Sequence, residues 1–370
     1  MNLVVFWVGW ALAGEVMVDP DPGSEVSRPE APADLHQVWS GMEPDHVFRE
    51  AVSRRRVGDL SGALDRFRFL QGQGIDTAPV NYQLGIALES SELYEAAVSH
   101  YEKVAREWPG SPESVDARFR RALCLEDMGR HRESLAQVRE LSREGKWDEH
   151  DRLTLQLEQG IAELGSRRVR RGLRRVQGAL SEVEGTDELT WMRAKAHTEL
   201  AQFQLAEAGQ LSLDGNRRAA RSLVRRGRLL LDAERQVTAV ALLKEPEFVL
   251  EGMLLLGEAY ELLYRDMMSA SPPRQVSAEE VPAYLEQVHD KASVLPMKAW
   301  RYYDEGLQVA IQLQWLGSAT DRLRENRDRL SDALGLAPEE PEPVEEPTET
   351  DRVPEGEVQD SEDELRVPLE

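Results

Sequence analysis

One spacing of small and large residues returns three times along the chain at nearly constant intervals. Ala63-x3-Phe67-x2-Leu70, Ala97-x3-Tyr101-x2-Val104 and Ser134-x3-Val138-x2-Leu141 share it, with first members 34 and then 37 residues apart. Steps of three and four stack side chains on one helical face, so each segment reads as a helix with an apolar stripe. A period in this range means a unit that cannot bury its apolar face alone and must stack on the next copy. Upstream of each lies a partner helix, carried by Phe48-x2-Ala51, then Tyr82-x-Leu84-Gly85-x2-Leu88, then Phe119-x2-Ala122-x2-Leu125. Gly58-Asp59 and Gly129-Arg130 supply the turn in the first and third pairs. The small residues mark where two helices approach most closely; a large side chain at Gly85 or Ala97 would force them apart.

This pattern resembles the tetratricopeptide repeat, a 34-residue helical hairpin with small residues at its eighth and twentieth positions and often a proline near its end. In that frame the units begin near Pro44, Ala78 and Val115, and Pro109 takes the proline position of the second. A fourth unit follows from Leu153 with Gly160, Gly172, Val176 and Ala179 at the expected offsets and Gly165-Ser166-Arg167 as its turn. Less regular helices are expected over 190–213, 216–243, from Pro246 onward, and over 282–295, 297–313 and 315–334. Gly306 and Ser318 stand twelve apart there, as Gly85 and Ala97 do. The resemblance implies an all-α, right-handed superhelix of antiparallel helix pairs, degenerate in its C-terminal half and flanked by disordered termini. The segments expected are a signal peptide over 1–13, a Pro-rich linker over 14–43, repeats over 44–185, degenerate repeats and a cap over 186–335, and a tail over 336–370.

The apolar run Leu3–Ala13 ends in Ala11-Leu12-Ala13, the small-x-small pattern of a cleavage site, although no Lys or Arg precedes it. It falls short of the roughly 20 residues a bilayer crossing needs, so no transmembrane anchor is expected. Export is the favoured reading, and a cytoplasmic protein with a buried N-terminal segment is the alternative. Long helices ending in an aromatic hairpin, AWRYYDEGLQVAIQLQW, give the chain a resemblance to periplasmic tetratricopeptide scaffolds of Gram-negative bacteria. The net charge of −23 argues against a generic affinity for phosphate backbones, so nucleic acid is not favoured. About half of that charge, −12, belongs to residues 338–370, where 14 acidic residues meet two arginines in a Pro-rich stretch suited to disorder. The final ELRVPLE is a candidate recognition segment.

No phosphate-binding glycine loop, zincin motif or nucleophile elbow occurs, and the one cysteine, Cys124, sits in an apolar register. His46, Asp45 and Glu50 at a helix start, and the pair Glu133 and Glu140, read as ordinary surface groups. No catalysis, cofactor or metal is therefore expected, and a small-molecule site around Tyr260, Trp300 and Trp315 is the alternative to a scaffold. The resemblance implies a non-catalytic scaffold that takes a partner peptide or helix in a groove lined by first helices. Asn81, Gln83 and Arg118 match the family's contact positions, whereas the basic carboxylate clamp of the co-chaperone members is not spelled out. SRRVRRGLRRV is the strongest charge feature: on a helix Arg167, Arg171, Arg174 and Arg175 share a side opposite an apolar stripe. Three readings stay open for it: a solvated face, a nucleic-acid contact, or a docking place for the acidic tail or an acidic partner. A second arginine group, from Arg217 to Arg228, follows it.

Overall fold

The computed structural model describes residues 38–336 apart from 146, 184–187, 215–218, 274 and 316. The expected signal peptide, nearly all of the linker, the acidic tail and Arg217 and Arg218 lie outside the described residues. Helices α1 (Pro44–Arg56), α2 (Leu60–Gly72), α3 (Ala78–Ser90), α4 (Tyr94–Glu107), α5 (Glu113–Asp127), α6 (His131–Arg143), α7 (Glu149–Gly165) and α8 (Val169–Glu182) form four successive hairpins. They are followed by α9 (Thr190–Gly209), α10 (Ala219–Leu243), α11 (Pro246–Ser269), α12 (Val281–Ala292), α13 (Val294–Gln312) and α14 (Ser318–Leu334). No strand occurs among the described residues.

Local chemistry sets the boundaries. Proline stands in the first turn of α1, α3, α11 and α12, where a missing N–H costs nothing. Asp59 and Asp148 cap α2 and α7 by accepting from Gly62 N at 2.9 Å and Asp151 N at 2.8 Å. Each of the first four hairpins turns through one left-handed residue, namely Gly58 (φ 85), Glu92 (φ 59), Gly129 (φ 70) and Arg167 (φ 63). These sit at equivalent repeat positions, so the turn is a property of the unit even where a side chain must tolerate it.

Between the helices of a hairpin, a small residue on the first faces a large one sixteen positions later on the second. Ala51 and Phe67, Gly85 and Tyr101, Ala122 and Val138, and Gly160 and Val176 keep this spacing and are buried. A Cβ on Gly85 would lie 2.6 Å from the Tyr101 ring, and one on Gly160 2.6 Å from Val176 Cγ2. The same seam reappears in the degenerate half. Gly257 on α11 faces Tyr303 on α13, where an added Cβ would sit 2.2 Å from the ring. The tyrosine lock is copied too: Tyr101 donates to Glu89, four residues after Gly85, and Tyr303 donates to Glu261, four after Gly257, at 2.7 Å. Helices α11 and α13 are therefore a repeat hairpin interrupted by the loop and α12, which explains why a fixed period is lost there.

First helices stack on first helices, α1 on α3, α3 on α5, α7 on α9 and α9 on α11, and form one side of the solenoid. A buried ion group ties three of them together. Lys195 on α9 donates to Glu126 on α5 at 2.8 Å and Glu158 on α7 at 3.2 Å. Burial pushes Glu158 well above the usual carboxylate range, and the nearby Glu126 adds to it. Burial opposes the Lys195 charge, yet the two glutamates outweigh it and keep the ammonium protonated.

Candidate functional site

The groove residues expected from the sequence occupy different roles. Asn81 is fully buried. Its amide donates to Asp76 Oδ1 at 2.7 Å and Thr77 O at 2.9 Å, while its oxygen accepts from Gln71 at 3.0 Å and lies 3.1 Å from His100 Nδ1. It pins the α2–α3 turn to α4 and is not exposed on a groove, because a short amide at the start of α3 lies within reach of both the turn groups and His100. Gln83 is half-buried, with its carbonyl oxygen shut from solvent and without a hydrogen-bond partner. Arg118 is drawn to α6, 2.5 Å from Glu144 and 3.3 Å from Glu140. Asn81 thus clamps a turn and Arg118 ties α5 to α6, while Gln83 keeps an unmet carbonyl oxygen.

The structure instead gathers carboxylates on the first helices. Asp127 ends α5, Glu199 lies one turn after Lys195 on α9, and Glu247 and Glu251 occupy successive turns at the start of α11. None of the four has a hydrogen bond or ion pair among the described residues, and the one lysine in their midst is committed to Glu126 and Glu158. Crowding by protein raises all four. Asp127 is pushed up to about 6, and Glu199, Glu247 and Glu251 to about 7, with the lysine working against the shift. They also raise one another: Asp127 acts on the other three, and Glu247 on Glu251. Three helices thus aim uncompensated negative charge into one region. Asp127 and Glu247 are exposed as residues, so water screens part of the repulsion. No motif announces this set, since its members are far apart in sequence and each looks like an ordinary surface acid. The one local hint is Glu247 and Glu251, a like-charged i,i+4 pair that disfavours an isolated helix.

The arginine-rich stretch is placed on the outer helix α8. Arg167 is a correction to the one-sided helical set: it occupies the left-handed turn, two residues before α8 begins. Arg171 and Arg174 are exposed and form no ion pair among the described residues, whereas Arg175 reaches Glu163 at 3.3 Å. With Gln156 and Glu182 they border an open depression of about 370 Å³. In the second arginine group Arg226 is nearly fully buried against Asp266 at 2.5 Å, a structural ion pair.

The C-terminal aromatics are packed. Tyr260 and Tyr302 stack at 5.9 Å, both donate to Glu234 at 2.7 Å, and Lys298 covers the Tyr260 ring at 4.4 Å. Trp300 donates to Ser331 Oγ at 2.7 Å, and Trp315 packs on the same core. Cys124 is fully buried and its thiol is pushed well up by burial. Glu50 is turned toward Arg66 at 2.6 Å, away from any metal-ligand role with His46. Glu133 pairs with Arg130 at 2.8 Å. No group of His, Cys, Asp and Glu suited to a metal ion occurs among the described residues, and no described helix is long and apolar enough to cross a membrane.

Stacked helical hairpins with a glycine seam define the class as a helical-repeat protein. The tetratricopeptide repeat family profile matches residues 82–146, which hold the second and third hairpins. Residues 82–146 thus carry tetratricopeptide repeats, and such repeats generally mediate protein–protein interaction. No curated protein matches. Among solved structures, a TPR repeats protein from Bacteroides fragilis is similar at 12% identity over 79% of this chain and 99% of that one, with a TM-score of 0.26.

Proposed function

We propose that the chain is a non-catalytic scaffold that holds a positively charged segment of a partner protein against the carboxylates of its first helices. The observation that carries this reading is the set Asp127, Glu199, Glu247 and Glu251, four acids from three first helices that raise one another and have no ion pair among the described residues. A lysine- or arginine-bearing segment would relieve their mutual repulsion and gain charge-assisted hydrogen bonds, the stronger kind. Location in the cell envelope is part of the proposal, supported by the small-x-small end of the Leu3–Ala13 run.

The test uses a fluorescent nona-arginine peptide as probe, titrated with the full chain and with a variant carrying D127N, E199Q, E247Q and E251Q. Anisotropy should show binding that the variant weakens by tenfold or more, equivalent to about 1.4 kcal/mol. Equal binding by both proteins would refute the assignment of the groove, while retention of a partner by both in a pull-down from the envelope fraction would leave the scaffold reading standing.

A further inference from the structure

Helix α8 presents an arginine face that the fold does not use. Arg168, Arg170, Arg171 and Arg174 are exposed, and none forms an ion pair among the described residues. Elsewhere arginines are mostly matched: Arg54, Arg66, Arg118, Arg120, Arg121, Arg139 and Arg329 all hold carboxylates on another helix, a turn, or their own helix. At 100° per residue Arg171, Arg174 and Arg175 cluster on one side of α8, and Leu173 and Leu180, which pack into the core, lie opposite. The next first helix, α9, leans on α7 more than on α8, so no following hairpin covers this face. The depression beside it opens at Gly178, where an added Cβ would meet nothing within 4 Å.

We propose that residues 337–370 of the same chain dock on this face. That segment carries 14 carboxylates against two arginines, and Asp360, Glu362, Asp363 and Glu364 place four of them within five positions. Charge directs it away from the first-helix region, which is itself acidic and repels the tail, and toward α8, whose guanidinium forks bind carboxylates two at a time. Length permits the contact, since 34 residues reach on the order of 110 Å when extended. Tethering raises the local concentration of the acids to the order of millimolar, so contacts too weak to hold a free peptide are populated in cis. The docked tail shields α8 from other polyanions and leaves the acidic region open. This inference is independent of the groove reading.

The experiment is single-molecule energy transfer in the full chain, with dyes on Gln177→Cys beside the arginine face and Ser361→Cys in the tail. Cys124 is fully buried and stays unlabelled. A high-transfer population is expected in dilute buffer, and it should fall by about half or more in ~0.5 M salt, where charges are screened beyond a few ångströms. R171E/R174E should abolish it with the helical circular dichroism unchanged, and R221E/R228E on α10 should leave it intact. Transfer indifferent to R171E/R174E, or lowered equally by both pairs, would overturn the proposal. So would transfer that appears only between separately labelled chains at micromolar concentration, which would assign the tail to a second copy.

Discussion

Gly257→Ala tests whether the interrupted hairpin of α11 and α13 packs as a true repeat. The new Cβ would lie 2.2 Å from Tyr303 Cε1 and 2.6 Å from Cζ, so the ring must retreat by more than an ångström. Tyr303 is fully buried, and the retreat pulls its hydroxyl from Glu261, now 2.7 Å away. Overpacking of this kind costs about 1 to 3 kcal/mol. The lost hydrogen bond adds about 1 kcal/mol, because Arg329 still holds Glu261 at 2.7 and 2.9 Å. Alanine returns about 1 kcal/mol through its better helix propensity. The net expectation is a destabilisation of about 1 to 3 kcal/mol. Hydrogen exchange read on α11 and α13 is the right assay, since a repeat array need not unfold as one unit. In a Tyr303→Ala background the clash is gone, and Gly257→Ala should become neutral or stabilising. Equal destabilisation in both backgrounds would show that the ring contact is not what glycine serves there.

Lys195→Met should cost about 3 to 5 kcal/mol, because Glu126 is left buried without its cation, and chemical denaturation should show part of the loss recovered on acidification. Asn81→Leu should lower the thermal midpoint while leaving nona-arginine binding unchanged, since Asn81 is a fully buried turn clamp. The groove acids have folded-state pKa values raised above their unfolded ones, to about 6 for Asp127 and about 7 for Glu199, Glu247 and Glu251. The folded chain therefore binds more protons than the unfolded one between about pH 4 and 7, so their contribution to stability falls as pH rises through that window. Binding of the cationic probe should show the reverse, strengthening from pH 5.5 to 8 as the acids ionise. The D127N, E199Q, E247Q and E251Q variant should flatten both pH profiles.

The sequence alone determined the hairpins of the repeat segment, because small and large residues at fixed helical spacing leave few ways to pack. Ala63, Gly85, Ala97, Tyr101, Gly160 and Gly172 were legible for that reason, and the starts at Pro44 and Ala78 fell where proline and the repeat frame put them. The Gly257–Tyr303 seam was not, since a loop and α12 separate its halves and period analysis needs a constant step. Tertiary structure alone decided which polar groups are free. Asn81 and Arg118 looked available from their helix positions but are consumed by neighbours, Asp76 in the preceding turn and Glu144 at the end of the paired helix α6. Asp127, Glu199, Glu247 and Glu251 looked like separate surface acids until the packing of α9 on α11 and the Lys195–Glu126 link from α9 to α5 set them against one another. Helix periodicity says which face a residue occupies; whether that face meets a partner, a like charge or water depends on contacts between helices distant in sequence, which no local pattern encodes.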